Sequence, residues 1–464
     1  MKFKRKQISY RDYTKILERS ESHVNDFKDK RIKPEKLCKT VSALANADGG
    51  DLFVGVTEEK DTEGFVTFKW DGFRDEESAN QLIDVVHSVL HLQCHYDAEF
   101  LECSDRRQDG LVLHFTISKS PGVIKTPGNK IYVRLSSQDK NYSDDPDKIK
   151  QLQLNKGITS CEDFLSDVDV TDVSESDTMY QFMISMGSLM SEPEDFLRKN
   201  NLSKGSMCRI SGVLLFHDMP QAFVKRCGVR VVSYATSASN PGRNDMINEP
   251  RSVEGCLCNL IYNTVDLIRE MLNAFPFPDP CGVPAYPDEA IHEIVANAII
   301  HRDYSIHDDV HVRIFNNRIE IESPGQLPGS VTEANILRER FSRNSNIGRI
   351  LSKFPNRPNK DIGEGLNTAF NCMRKSGLNA PQIVSRESRV IVTLLSEKLP
   401  DPVESLLKLF DNRRRLSVHD IQYSRIFKSD NDRKAAINRL KQDKVIEIVP
   451  GTHGKDTEYQ LTKR

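Results

Sequence analysis

Two periodicities of apolar positions divide this chain. Leu37, Val41, Leu44 and Ala45 recur at helical spacing and predict a helix over 34–47. The turn residues Ala47-Asp48-Gly49-Gly50 end it, and Leu52 to Val56 reads as a short apolar strand. Further strands are expected at 111–117 and 130–135, so the first domain reads as α/β and ends near residue 150. Residues 1–30 read as charged helix, and the acidic stretch 151–180 as a linker. The middle predicts a helix at 183–198, strands at 212–216 and 229–234, and a helix at 254–273. A proline-rich piece, 275–287, marks a boundary. Beyond it come a helix at 288–301, strands at 311–317 and 318–323, a glycine-interrupted helical stretch at 333–378, and a strand at 389–395. The tail predicts three helices and two strands, with Ser417 capping the second helix.

Composition adds limits. The chain has 464 residues, which is ample for three or four domains. Its formal net charge of −2 means that any attraction for nucleic acid must be local. No run of about 18 apolar residues suggests a membrane span, and the start lacks the apolar stretch of a signal peptide. A cytoplasmic protein is expected. Ten cysteines scattered over this length suit reduced thiols better than a disulfide framework.

The string from Asp288 to Tyr304 carries the first chemistry. Glu293 and Asn297 lie four apart and share one helix face, while Ile291, Ile294, Val295 and Ala298 face a core. Mg²⁺ prefers oxygen ligands, and Asn297 offers one. Glu293 can orient a water for attack on a phosphate. Gly363 and Gly365 can place bare N–H groups around phosphates, and Arg343 can meet their charge.

This stretch resembles the GHKL ATPase family, in the form attached to Schlafen-type AlbA domains in bacterial proteins. Those proteins carry a helix like EALVNALVHRDY, a PGGLP turn, an SRNP segment and a GTG segment. Their counterparts here are Glu289–Tyr304, Pro324-Gly325-Gln326-Leu327-Pro328, Ser342-Arg343-Asn344-Ser345 and Gly363-Glu364-Gly365-Leu366. The resemblance implies ATP and Mg²⁺ as cofactors. It places Glu293, Asn297, His301, Arg302, Gly325, Arg343, Asn344, Gly363 and Gly365 at the nucleotide, with Glu322 as the adenine-contacting acid and Thr393 beside the adenine. His301 has the alternative of closing the helix C-terminus. Gln326 and Glu364 depart from the pattern, so binding is expected before fast hydrolysis.

Near the start, Glu21, Asp26 and Lys28 precede Ala45-Asn46-Ala47-Asp48-Gly49-Gly50 and the strand Leu52 to Val56. Two carboxylates and a lysine can hold Mg²⁺ or Mn²⁺ against a phosphodiester. This pattern, with Lys130 to Ser136, resembles the Schlafen AlbA domain, whose acids belong to an RNA-cleaving site in eukaryotic Schlafens. At the position of that site's third acid this chain has Thr57, with Glu58 and Glu59 beside it, so the third ligand is displaced or missing. Nucleic acid, RNA or DNA, is the expected partner, bound with or without cutting. Lys30, Arg31 and Arg134 are the contacts expected in this domain. Arg433, Lys434, Arg439 and Lys441 are those expected in the tail.

The expected fold class is therefore α/β multidomain. A Schlafen AlbA-like α+β domain occupies 1–150 and a connecting α/β region 151–287. A GHKL (Bergerat-type) α/β sandwich follows at 288–398, and a winged helix-turn-helix at 399–464. The resemblance implies a homo-oligomeric ATP-binding nucleic-acid effector, in the setting of anti-phage defence. The alternative is an ATP-responsive DNA-binding regulator without nuclease activity.

Overall fold

The computed structural model describes the chain except residues 1–3, 61–65, 188–191, 276–285, 359–364, 387, 398–401, 411–414, 424–429, 453–456 and 463–464, and the side chains of 402, 405, 419, 423, 430 and 431. The chain divides into two compact units, Met1–Met373 with Ala380–Leu395, and Arg374–Asn379 with Ser396–Arg464. It is a mixed α/β multidomain chain. No described helix is long and apolar enough to cross a membrane.

The first unit opens on a five-stranded sheet in the spatial order Lys4–Ile8, Tyr96–Cys103, Val112–Ile117, Gly50–Val54, Asn25–Lys28. Helix Pro34–Asn46 begins with Pro34, whose missing N–H costs nothing in a first turn. It buries Leu37, Val41 and Leu44 on one sheet face, together with Leu52, Val54 and Phe115. The other face packs Phe27, Phe53 and Trp70 against helix Tyr10–Leu17. The N-terminal 30 residues are thus two strands around a short helix, where continuous helix is expected from charge alone.

Residues 151–180 are ordered. Asp169 and Ser176 cap short helices, each accepting a backbone N–H on its side chain. Asp169 is an N-cap, and Glu162, Asp163, Asp172 and Asp177 lie in first turns, where the helix dipole favours them. Residues 210–216 form a helix, Ile210–Phe216, instead of a strand. Its last six residues are all buried, so it shows no periodicity to separate the two. The helix expected at 183–198 is interrupted, with separate helices Asp177–Ser185 and Pro193–Lys199.

The second sheet has six strands, in the order Arg251–Val253, Val229–Ser233, Val310–Ile314, Arg318–Pro324, Arg389–Leu395, Gln382–Arg386. Two of these come from before the proline-rich boundary, so this sheet starts upstream of residue 288. Helices Leu257–Asn273 and Asp288–Ile300 pack together over it.

The second unit contains helices Pro402–Phe410, Val418–Tyr423 and Asp430–Gln442, and a three-stranded sheet ordered Arg415–Ser417, Glu458–Leu461, Ile446–Ile448. Ser417 Oγ accepts from Asp420 N at 3.0 Å and Asp420 Oδ2 accepts from Ser417 N at 3.1 Å, a reciprocal cap. Leu406, Leu416, Ile421, Leu440 and Tyr459 form its core.

Candidate functional site

Strand parity builds the N-terminal site. Phe27 points into the aromatic core, so Asp26 and Lys28 point the other way, toward helix Pro34–Asn46. Asp26 is fully buried. Its Oδ1 accepts from Arg134 Nη2 at 2.7 Å, and its Oδ2 is paired with the Lys28 ammonium. Arg134, only 4 % exposed, reaches on to Asp139 Oδ1 at 2.9 Å, and Thr40 Oγ1 donates to Asp139 Oδ2 at 3.0 Å. Lys28 Nζ lies 3.7 Å from Glu21 Oε1. Burial raises the Glu21 carboxyl above its ordinary range, and the charge of Asp26 adds to this.

These groups floor a cleft of about 900 Å³ whose rim includes Lys33, Lys36 and Lys39. Among the expected nucleic-acid contacts, Arg134 is instead an interior residue whose charge is committed to two aspartates. Lys30 is tied to Asp71 Oδ1 at 2.7 Å, and Arg31 to both oxygens of Asp29. Sequence reasoning passed over Asp139 and Thr40. The signal for Asp139 was proximity to the expected strand at 130–135, and for Thr40 its place on the expected helix at 34–47.

The expected third-acid positions lie elsewhere. Glu58 pairs with Lys60 at 3.4 Å and Glu59 with Lys69 at 3.2 Å, on strand Val56–Lys60. Among the described residues no group of three His, Cys, Asp or Glu side chains is placed to hold a metal ion.

In the second constellation, helix Asp288–Ile300 buries every residue from Ala290 onward except His292, Glu293 and Asn297. Glu293 and Asn297 face the start of helix Gly365–Lys375. A Cβ on Gly365 would sit 2.4 Å from Glu293 Oε2 and 3.6 Å from Asn297 Nδ2. A side chain there would force the Glu293 carboxylate to shift. A helix N-terminus facing a carboxylate and an amide suits phosphate with a divalent ion, because its first N–H groups lack intrahelical partners. A cavity of about 290 Å³ lies on the same helix face, lined in part by Glu289, His292 and Glu293. Gly363 and Glu364 lie outside the described residues.

Other expected nucleotide residues are not brought there. Ser323 Oγ donates to Ala298 O at 2.7 Å, so odd positions of strand Arg318–Pro324 face helix Asp288–Ile300. Glu322 therefore faces the opposite side of the sheet. Thr393 pairs with Glu320 and shares that far side. Burial alone would raise the Glu322 carboxyl, but the Arg313 and Arg389 guanidiniums hold it below its ordinary range.

Arg343 is 4 % exposed. It donates to Leu154 O and Gln326 O and lies 3.2 Å from Asp303 Oδ2, which joins the N-terminal region to the 324–328 turn. Asn344 Nδ2 donates to Ile300 O and Arg302 O, both at 2.8 Å, closing the helix C-terminus. His301 is the C-cap residue, and burial pushes it down to about 4, so it is neutral near pH 7. Arg302 is 1 % exposed and spans the carbonyls of Arg226, Ile306 and Asp308. Gly325 holds a φ of +112°, where a Cβ would lie 2.8 Å from Asp303 Cβ. Its glycine is explained by packing against Asp303.

In the second unit Lys434, Arg439 and Lys441 are exposed on helix Asp430–Gln442, while Arg433 is half-buried.

Comparison with known proteins finds two domain models. Residues 21–143 match the model described as "Schlafen, AlbA_2". Residues 307–394 match the one described as "Putative ATP-dependent DNA helicase recG C-terminal". The chain has a Schlafen AlbA_2 plus ATP-binding domain architecture. The AlbA_2 match spans Glu21, Asp26, Lys28, Arg134 and Asp139. The ATPase-like match covers Glu322, Arg343, Gly365 and Thr393 and begins after Asn297. These domains associate the chain with nucleotide and nucleic acid. A crystal structure of the DIP2311 protein from Corynebacterium diphtheriae is similar at 17 % identity and a TM-score of 0.40, covering 95 % of this chain and 92 % of that one. No curated protein matched.

Proposed function

We propose that the chain is an ATP-binding nucleic-acid effector whose AlbA_2 domain binds RNA or DNA and cleaves it, with ATP as the switch. The observation that supports this best is the cleft over Asp26, where Lys28 and Glu21 stand below the lysines of helix Pro34–Asn46. Lys33, Lys36 and Lys39 would hold backbone phosphates. Lys28, positioned by Asp26, would steady the phosphate at Glu21. Glu21, its pKa raised by burial, would take the proton of the attacking hydroxyl (the 2′-hydroxyl in RNA, water in DNA) as the new P–O bond forms and the old one breaks, and the leaving oxygen would be protonated from solvent.

As placed, Glu21 and Asp26 do not fit a divalent ion, since both Asp26 oxygens face cations. No step is routed through a metal there. Glu293, Asn297 and Gly365 do fit a metal-bound triphosphate. Asn297 would hold the ion and the helix start at Gly365 the phosphates, with the ion neutralising phosphate charge. Phage defence and a homo-oligomeric state, set by nucleotide, belong to the same proposal.

Incubation of the full chain with tRNA, single-stranded RNA and DNA, with Mg²⁺ or Mn²⁺ and with or without ATP, tests it. Cleavage lost in Glu21→Gln supports the cutting step. If no substrate is cut and phage plating is unchanged by Glu21→Ala, the effector reading fails.

A second reading is an ATP-responsive DNA-binding regulator. It is favoured by the exposed cations Lys434, Arg439 and Lys441 on the third helix of the tail, which we propose is a winged helix. A defined operator footprint abolished by Lys434→Gln and Arg439→Gln would favour it.

A further inference from the structure

A second cleft, of about 850 Å³, lies on the other side of strand Asn25–Lys28 and shares Glu21 with the basic one. Its character differs. Tyr10, Tyr13 and Phe68 line it, with Arg106 and Glu58 at its edge. Tyr10 is 46 % exposed although it is a large ring, and its plane lies within 15° of Tyr13, with centroids 5.8 Å apart. Tyr13 in turn rests on buried Trp70 at 5.0 Å, and its hydroxyl donates to Asp109 Oδ2 at 3.0 Å. The stack is thus anchored in the core and ends in an exposed ring. Arg106 stands 5.9 Å from the centroid of Tyr10. Tyr10 and Tyr13 precede the AlbA_2 match, which begins at residue 21.

The edge strand explains why two unlike clefts meet. Alternation along it sends Asp26 and Lys28 to the basic side and Phe27 to the aromatic side, where Phe27 meets Phe68 at 4.4 Å. A cleft with an exposed flat ring that joins, at Glu21, a cleft lined by cations is the pairing that suits single-stranded nucleic acid. Cations follow the backbone, and aromatic rings accept bases, whose faces all stack. A duplex keeps its base faces stacked inside and offers none to an aromatic ring.

We propose that the AlbA_2 domain takes a single strand, seating one unpaired base on Tyr10 while the adjoining phosphates run into the Lys33–Lys36–Lys39 cleft, the two meeting at Glu21. This rests on the nucleic-acid-binding reading above and adds the class of strand. It also places the phosphate next to the seated base at Glu21.

The test uses the full chain and a short RNA strand carrying 2-aminopurine, alone or in a duplex. Binding is followed by anisotropy over a salt series, and stacking by quenching of the 2-aminopurine. The wild-type chain should bind the strand more tightly than the duplex and quench it. Tyr10→Phe should do the same, since it keeps the ring. Tyr10→Leu should weaken strand binding about tenfold or more and abolish quenching, while leaving the salt slope unchanged. Equal binding and quenching by Tyr10→Leu, or equal affinity for duplex and strand, would overturn the proposal with nucleic-acid binding intact. If neither form binds at low salt, the parent reading fails as well.

Discussion

The two polar constellations look alike in sequence and differ in the structure. Each has an acid and a second polar residue four or five positions on: Glu21 with Asp26, and Glu293 with Asn297. At the N-terminal site the second member is buried and neutralised from within. Asp26 has no exposure and faces Arg134 and Lys28. At the other site both members stay half-buried and face the start of a helix, where a Cβ on Gly365 would press on the Glu293 carboxylate. Spacing selects which side chains share a face, but burial and partners decide whether they are available to a ligand. The first site reads as a charged floor beneath a basic cleft, the second as a carboxylate and an amide set against a helix start.

Asp26→Ala should break this contrast most strongly. It leaves Arg134 buried with one of its two carboxylates removed, which costs about 3–5 kcal/mol. Urea unfolding should show that loss, while Glu21→Gln, at a half-buried carboxylate, should cost under about 1 kcal/mol. Equal effects would mean that Asp26 is not the structural member of the pair.

Gly365→Ala should act next. The added methyl group meets the Glu293 carboxylate, so Glu293 or the helix start must shift. ATP affinity measured by calorimetry should fall about tenfold, ~1.4 kcal/mol, with little change in nucleic-acid binding. Arg343→Lys, in contrast, should lower stability by about 1–3 kcal/mol, because an ammonium cannot span the carbonyls that the guanidinium spans. Lost ATP affinity in Arg343→Lys without lost stability would return Arg343 to the nucleotide.

A pH effect is expected at Glu162. Its carboxylate accepts from Asn346 N at 3.0 Å and Ile347 N at 2.9 Å, at the start of helix Ser345–Leu351. Burial pushes its pKa up from 4.5 to about 7. Because the folded value is raised, its stabilising contribution is full below 4.5 and is lost as pH rises through about 7. Stability should therefore fall over that window by at most ~1.4 kcal/mol per pH unit, and Glu162→Gln should flatten the profile.

Much of the fold is legible where periodicity is strong. Helices Pro34–Asn46 and Asp288–Ile300 and strand Arg389–Leu395 fall where apolar spacing predicts them. Ile210–Phe216 is not legible, because a fully buried segment has no polar face to reveal its period. The 151–180 stretch misleads because several of its acids sit at the starts of short helices, Asp169 as a cap and Asp172 and Asp177 in first turns, and only resemble those of a solvated linker. At the sites, the four-residue spacing of Glu293 and Asn297 puts them on one face as expected. The far-side position of Glu322 follows from strand register, and the interior role of Arg134 from a partner distant in sequence, Asp26. Local pattern holds neither fact.

The central claim is that the basic cleft of the N-terminal domain carries nucleic acid. Its most direct test is the salt dependence of single-stranded RNA binding by wild-type chain and by Lys33→Gln with Lys36→Gln. The slope of log K against log salt should shrink by about 0.7 for each lysine removed. An unchanged slope and affinity would place the nucleic acid elsewhere on the molecule and contradict the account.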